Sequence, residues 1–218
     1  MKHSASVDLF QYWDRLRAGR AAPRRTEIEP ADIKSLLADT FILEQDSRGE
    51  AIFRLAGTRL CAIFGRELKG FSFPSLWTSK DQRLVARLAN SAFHPGNVII
   101  ITFQGLSTQQ RRNAFELLLL PLDSADESPR MLGIATAAAR PFWLGADPLI
   151  ECAVETIRIV DPDREPLFLK NRPAVAVPSI VPSASALMET PPTRNGRRIR
   201  HLVVLEGGRG EQGEAESR

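Results

Sequence analysis

The sequence predicts an α+β protein built on an antiparallel sheet, and three observations predict it. Strand-like segments fall into two groups, 39–46 with 51–55, and 97–106 with 114–122 and 131–139, on either side of a helical middle. The joints inside each group, 47–50, 108–113 and 123–130, are short and polar, and joints of that length connect neighbours that run antiparallel. The helical segments are amphipathic, with Leu84, Val85, Leu88, Ala92 and Phe93 marking one apolar face.

Residues 7–18 read as the first helix. Leu9, Tyr12, Trp13 and Leu16 share one stripe, with Asp8 near the start and Arg15 and Arg17 near the end, as the helix dipole favours. Gly19 stops it. A lone helix cannot bury two aromatic rings, so the stripe packs either on a second copy of the chain or across the outside of its own sheet. The homodimer contact is the expectation taken forward. Residues 21–29 are irregular, basic and then acidic. Pro30 suits the first turn of a helix over 31–37, with Ile33, Leu36 and Leu37 inward. The strand 39–46, the turn Ser47-Arg48-Gly49-Glu50 and the strand 51–55 make a hairpin, with Phe53 and Leu55 on one face. Gly57 permits a sharp exit, Thr58 caps a short helix with Leu60, Ile63 and Phe64 three to four residues apart, and Gly65 ends it in the left-handed conformation. Phe71, Phe73, Leu76 and Trp77 then form a dense apolar run. Ser79 with Gln82 fits a capping box at the start of the long helix, which His94-Pro95-Gly96 ends.

Beyond Arg140 prolines punctuate the chain. Residues 151–160 suit one more strand or a short helix, and 173–195 read as a flexible linker rich in Pro, Ser and Ala. Residues 198–205, RIRHLVVL, read as one strand, apolar on both faces at its end and expected to dock on a sheet edge. The polar end beyond it is expected to be disordered.

The stretch 53–77, FRLAGTRLCAIFGRELKGFSFPSLW, resembles the middle of a PAS domain, through Gly65, Glu67, Leu68, Gly70, Phe73 and Leu76. More narrowly, AGTRLCAIFGRELKG is similar to the same segment in a bacterial family of small stand-alone PAS proteins. The resemblance covers about residues 12–140, with a weaker echo near 201–208. It implies the PAS fold, a five-stranded antiparallel sheet with flanking helices. The organisation expected is an N-terminal helix and basic segment over 1–28, the PAS core over 29–142, a linker with room for one extra element over 143–196, and a strand and tail over 197–218. It also implies a pocket between sheet and short helices, for which Phe53, Leu60, Phe64, Phe73, Trp77, Leu88 and Phe103 are the lining candidates. Seven apolar side chains describe a filled core equally well. An open pocket of this kind suits a small apolar or aromatic ligand.

Composition bounds the function. Charge is near balance, +3, and the excess is local: Arg15, Arg17, Arg20, Arg24 and Arg25 at one end, Arg194, Arg197, Arg198 and Arg200 at the other. Solvated faces account for such clusters, and nucleic-acid binding is the less favoured reading. Cys61 and Cys152 form no disulfide framework and no paired zinc spacing. The apolar runs near 98–102 and 117–122 are too short to span a membrane, and the N-terminus carries charges where a secretory signal has none, so a cytoplasmic protein is expected. No glycine-flanked nucleophile and no Walker-type loop is present, so no enzyme is expected. His3, His94 and His201 lie far apart, and 71–93, where haem-binding relatives place a histidine, holds none. Cys61 lies between Leu60 and Ala62, not in the asparagine-cysteine-arginine context of photosensing relatives. No cofactor is indicated by motif. The reading is a non-catalytic sensory or regulatory protein that works through a homodimer or a signalling partner, gated by a small apolar ligand. A redox or gas sensor holding haem or flavin is the alternative.

Overall fold

Residues Ser4–Arg17 form helix α1, close to the range its stripe predicts. It ends at Ala18, in the left-handed region at φ 47°, and Gly19 follows at φ 81°. The computed structural model describes residues 1–124, 128–163, 196–199 and 202–205. The chain divides into two compact units, Met1–Arg172 and Pro173–Arg218.

In the first unit β1 (Thr40–Gln45) and β2 (Ala51–Ala56) form a hairpin whose turn is held by Asp46, its Oδ1 accepting the N–H groups of Arg48 and Glu50. The helical middle contains α2 (Thr58–Ile63), a single turn at Pro74–Leu76, and α3 (Ser79–Ala92). Strands β3 (Val98–Ser107), β4 (Arg112–Leu122) and β5 (Arg130–Ala137) follow as a meander, then β6 (Leu149–Val160). The sheet is antiparallel throughout, in the order β2-β1-β5-β4-β3-β6. It therefore has six strands where five were expected. The sixth is the segment left open between strand and helix, and it pairs along the whole free edge of β3.

Both faces of this sheet are covered. On the inner face Phe41, Phe53, Ile101, Phe103, Leu117 and Ala135 pack under α2, the Pro74–Leu76 turn and α3. On the outer face Ile100, Leu118, Leu120, Leu132 and Ile134 pack under Leu9, Phe10 and Trp13 of α1. This explains the unbroken apolar runs at 98–101 and 117–120, since a strand buried on two sides has no polar positions to alternate with.

Three local readings are corrected. The helix expected over 31–37 is instead two 3-10 turns, Pro30–Ile33 and Leu37–Asp39, because the segment closes i to i+3 bonds, Leu36 N–H to the Ile33 carbonyl and Asp39 N–H to that of Leu36. Ile33 and Leu36 still face the core, but Leu37 is largely exposed. Helix α3 is capped by Thr78, and Ser79 is its first residue. Thr78 Oγ1 donates to Asp81 Oδ2 (2.8 Å), which also accepts the Val154 N–H (3.0 Å) and so ties the helix start to β6. Gln82 closes no box; its amide donates to the Trp77 carbonyl.

In the second unit the run expected as one strand is a hairpin. Strand β7 (Gly196–Ile199) pairs antiparallel with β8 (Leu202–Leu205), with Ile199 opposite Leu202. A strand needs a partner for its backbone groups, and the nearest one is the other half of the same segment. The linker read over 173–195, His201 and the tail beyond 205 lie outside the described residues.

Candidate functional site

The backbone of 57–77 carries the aromatic run to the middle of the inner face. Gly57 precedes α2 at φ −66°, an ordinary value, so the sharp exit there needs no left-handed backbone. Its glycine is required by space: a Cβ would lie 2.2 Å from the Leu37 carbonyl oxygen and 2.3 Å from that of Ala38. Gly65 does adopt the left-handed conformation, at φ 63°, and a Cβ there would meet Pro148 at 2.6 Å. The next segment runs along β2. Gly70 donates to the Phe53 carbonyl (2.7 Å), Phe53 to that of Phe71 (2.9 Å), and Phe73 to that of Ala51 (2.8 Å). The Trp77–Thr78 end is fixed to β6, where the Thr78 N–H donates to the Cys152 carbonyl (2.8 Å).

These constraints bring the rings into a chain. Centroid separations are 5.5 Å for Phe41–Phe53, 5.7 Å for Phe53–Phe73, 5.9 Å for Phe73–Trp77 and 5.0 Å for Trp77–Phe103, all edge-on. Phe103 then stacks on Phe115 at 5.0 Å. Between them lies a cavity of ≈ 20 Å³, room for about one water-sized molecule. Of the seven lining candidates, Phe53, Leu60, Phe64, Phe73, Trp77 and Phe103 line it, while Leu88 is buried on α3 and does not. Sequence reasoning missed Phe41, Leu76, Leu117, Ala135 and Cys152. Cys152 is invisible from sequence because 151–160 suits a strand and a short helix equally; for Leu117 the readable signal is the unbroken apolar run 117–120, which a strand covered on both faces requires.

The lining is apolar but for two groups. The Cys152 thiol is completely buried, and burial pushes its pKa well up. The Trp77 indole nitrogen is buried and has no hydrogen-bond acceptor among the described residues. Buried indole N–H groups usually find one. Cys61 does not line the cavity. It is half-buried, and burial holds its thiol above the usual range, so it is a poor thiolate. No histidine belongs to this lining, so it offers no imidazole ligand to a haem iron, and its closed form holds no ring-sized ligand of any kind. Exposed His94 sits just past α3.

The four residues anticipated at a contact between copies lie on α1. Leu9, Tyr12 and Trp13 are buried against the outer face of their own sheet, the second of the two positions the sequence allows, and Leu16 is half-buried beside them. Trp13 Nε1 donates to the Pro121 carbonyl (2.7 Å), and the Tyr12 hydroxyl accepts the Glu29 N–H (2.8 Å). At the helix end the buried Arg17 guanidinium donates to Asp14, Asp163 and the Pro162 carbonyl, joining α1 to the chain leaving β6. Arg15, Arg20, Arg24 and Arg25 are exposed, and Arg20 pairs with Glu27. Among the described residues no three His, Cys, Asp or Glu side chains gather where a metal ion could sit, and no helix is long and apolar enough to cross a membrane.

A family model described as PAS domain matches residues 1–136 of the chain, α1 included. No curated protein matches it. Among solved structures the chain is similar to the crystal structure of a Rhodobacter sphaeroides LOV protein, at 13% identity and a TM-score of 0.39 over 53% of this chain and 71% of that one. At those values the structural likeness carries no argument.

Proposed function

The chain belongs to the PAS domain family, and from that premise we propose that it is a sensory and regulatory protein of bacterial signal transduction. It works in the cytoplasm without catalysis, through contacts with a signalling protein or a second copy, and a small apolar ligand gates those contacts. The observation that carries this reading is the ring-lined cavity with one unsatisfied donor. Its walls offer apolar contact on every side, and the Trp77 N–H offers a single directional bond. The ligand chemistry is therefore a small apolar body bearing one hydrogen-bond acceptor. Admitting it requires the rings to separate, so the ligand selects an expanded inner face over the closed one.

Homodimerisation through Leu9, Tyr12, Trp13 and Leu16 then takes the form of helix exchange. Three of the four are occupied by their own sheet, so a contact using them seats α1 of one copy on the sheet of the other. Native mass spectrometry of freshly purified full-length protein tests both parts. A dimer carrying a small-molecule mass is expected. A bare monomer at every concentration would sink the reading.

A further inference from the structure

Helix α2 has a second, outward side, and a groove of ≈ 250 Å³ lies there between the helix, the end of β5 and the segment after it. Its charge is unusual. Asp39 is a buried carboxylate, 6% exposed. Two guanidiniums address the same oxygen of it: Arg59 in direct contact, and Arg140 at 3.7 Å. One carboxylate against two guanidiniums leaves one positive charge at the groove. Their side chains are 41% and 62% exposed, and neither makes another hydrogen bond or ion pair among the described residues. A guanidinium has five N–H donors, so most of these are open to solvent and free to take an anion. The rest of the groove is apolar, with Ile63, Pro141 and Leu144 among its walls.

We propose that this groove binds a small monoanionic carboxylate with a compact apolar body. The carboxylate bridges Arg59 and Arg140, and the body rests on Ile63, Pro141 and Leu144. A single excess charge matches a monoanion and leaves a dianion half-neutralised. The volume limits the body to one ring or a short branched chain. The site is separate from the ring-lined cavity, although the neighbouring residues Arg59 and Leu60 of α2 line one each.

The test is a titration of the full chain by amide NMR with benzoate, benzamide and inorganic phosphate. Benzoate is expected to shift the amides of Ile63 and Leu144. Benzamide, the neutral isostere, and phosphate, the anion without a body, are expected to bind at least about tenfold more weakly. Arg140→Gln removes a mostly exposed side chain, so the fold stays intact, and it should weaken benzoate by about tenfold. Arg59→Gln should do the same where it folds. Benzamide or phosphate binding as well as benzoate, benzoate shifts gathered at Trp77 and Phe103, or unchanged binding by Arg140→Gln would each overturn the proposal.

Discussion

The two faces of the sheet are sealed in different ways. The outer face is aliphatic, and its cover, α1, is fastened by directional bonds: Trp13 to the Pro121 carbonyl, the Lys2 N–H to the buried Glu116 carboxylate, and Arg17 to the Pro162 carbonyl. The inner face is aromatic, and its rings meet edge-on with a donor left over at Trp77. Directional bonds admit one arrangement, because leaving a buried donor or acceptor unpaired costs about 1–3 kcal/mol. Ring contacts admit several, because packing of roughly equal volume costs little to rearrange. The outer cover thus has more directional bonds to lose than the inner rings, although the buried Ser6 and Thr136 hydroxyls on its side also lack a partner among the described residues. A tryptophan on each makes the contrast measurable.

The largest effect separates these two residues. Trp13→Ala and Trp77→Ala both remove a large buried ring, a loss of about 3–5 kcal/mol. Trp13→Ala also strands the Pro121 carbonyl and should reach the top of that range or exceed it. Trp77→Ala strands nothing and enlarges a cavity whose walls can close, so it should stay near the bottom. Urea denaturation of both variants measures the gap. Equal losses would break the comparison, and a Trp77 loss below about 1 kcal/mol would mean that its ring is not core.

Glycines sharpen it next. A Cβ at Gly133 would lie 2.2 Å from the Phe41 ring, which lines the cavity and can swing. A Cβ at Gly57 would strike the backbone oxygens of Leu37 and Ala38, which cannot. Overpacking typically costs about 1–3 kcal/mol, so Gly57→Ala belongs at the upper end and Gly133→Ala at the lower. A shift in denaturation midpoint of the opposite order would show the Phe41 ring on the inner face to be held as rigidly as the backbone around Gly57.

The inner face was the more legible of the two. Phe53, Phe73, Trp77 and Phe103 are large apolar residues beside turn-forming glycines, and local chemistry alone places them inside. The outer cover was harder. The stripe on α1 requires a partner surface but does not name it, and the clue lay elsewhere, in the runs at 98–101 and 117–120 that need cover on two sides. That argument had been applied to 198–205, where the segment pairs with itself instead. Contacts far apart in sequence left no local trace at all. Asp39 meets Arg59 and Arg140, and Arg17 meets Asp163, only because the sheet closes.

A smaller effect tests the directional bonds alone. Trp13→Phe keeps much of the ring volume but leaves the Pro121 carbonyl without its donor, at about 1–3 kcal/mol. Trp77→Phe deletes an N–H that has no acceptor among the described residues, so the loss of that group is favourable and offsets part of the lost volume. The expected difference is at least about 1 kcal/mol by thermal or chemical unfolding. No difference would mean that the Trp77 N–H is satisfied in solution.

The smallest effect concerns a clasp at the end of the two strands that serve both faces. Asp147, on the segment before β6, holds the β3–β4 turn: it accepts Ser107 Oγ (2.5 Å), the Thr108 hydroxyl and the Gln109 N–H (3.3 Å). Burial alone would raise its pKa, but these hydrogen bonds and the nearby Arg111 charge outweigh burial and hold it below the ordinary aspartate value of 3.8. A carboxyl depressed in the folded state stabilises it fully above the ordinary value and loses that contribution as pH falls past the depressed one. Acid should therefore loosen this turn locally before either face opens. Amide protection at Gln109 and Arg111, which donates to Ser107 Oγ (3.1 Å), should hold above the ordinary aspartate value of 3.8 and drop as pH falls below it. The indole protons of Trp13 and Trp77 should hold over that range. Asp147→Asn should remove the pH dependence of protection at the turn. If the Trp13 indole exchanges first, the outer cover is the weaker of the two seals and the comparison is reversed.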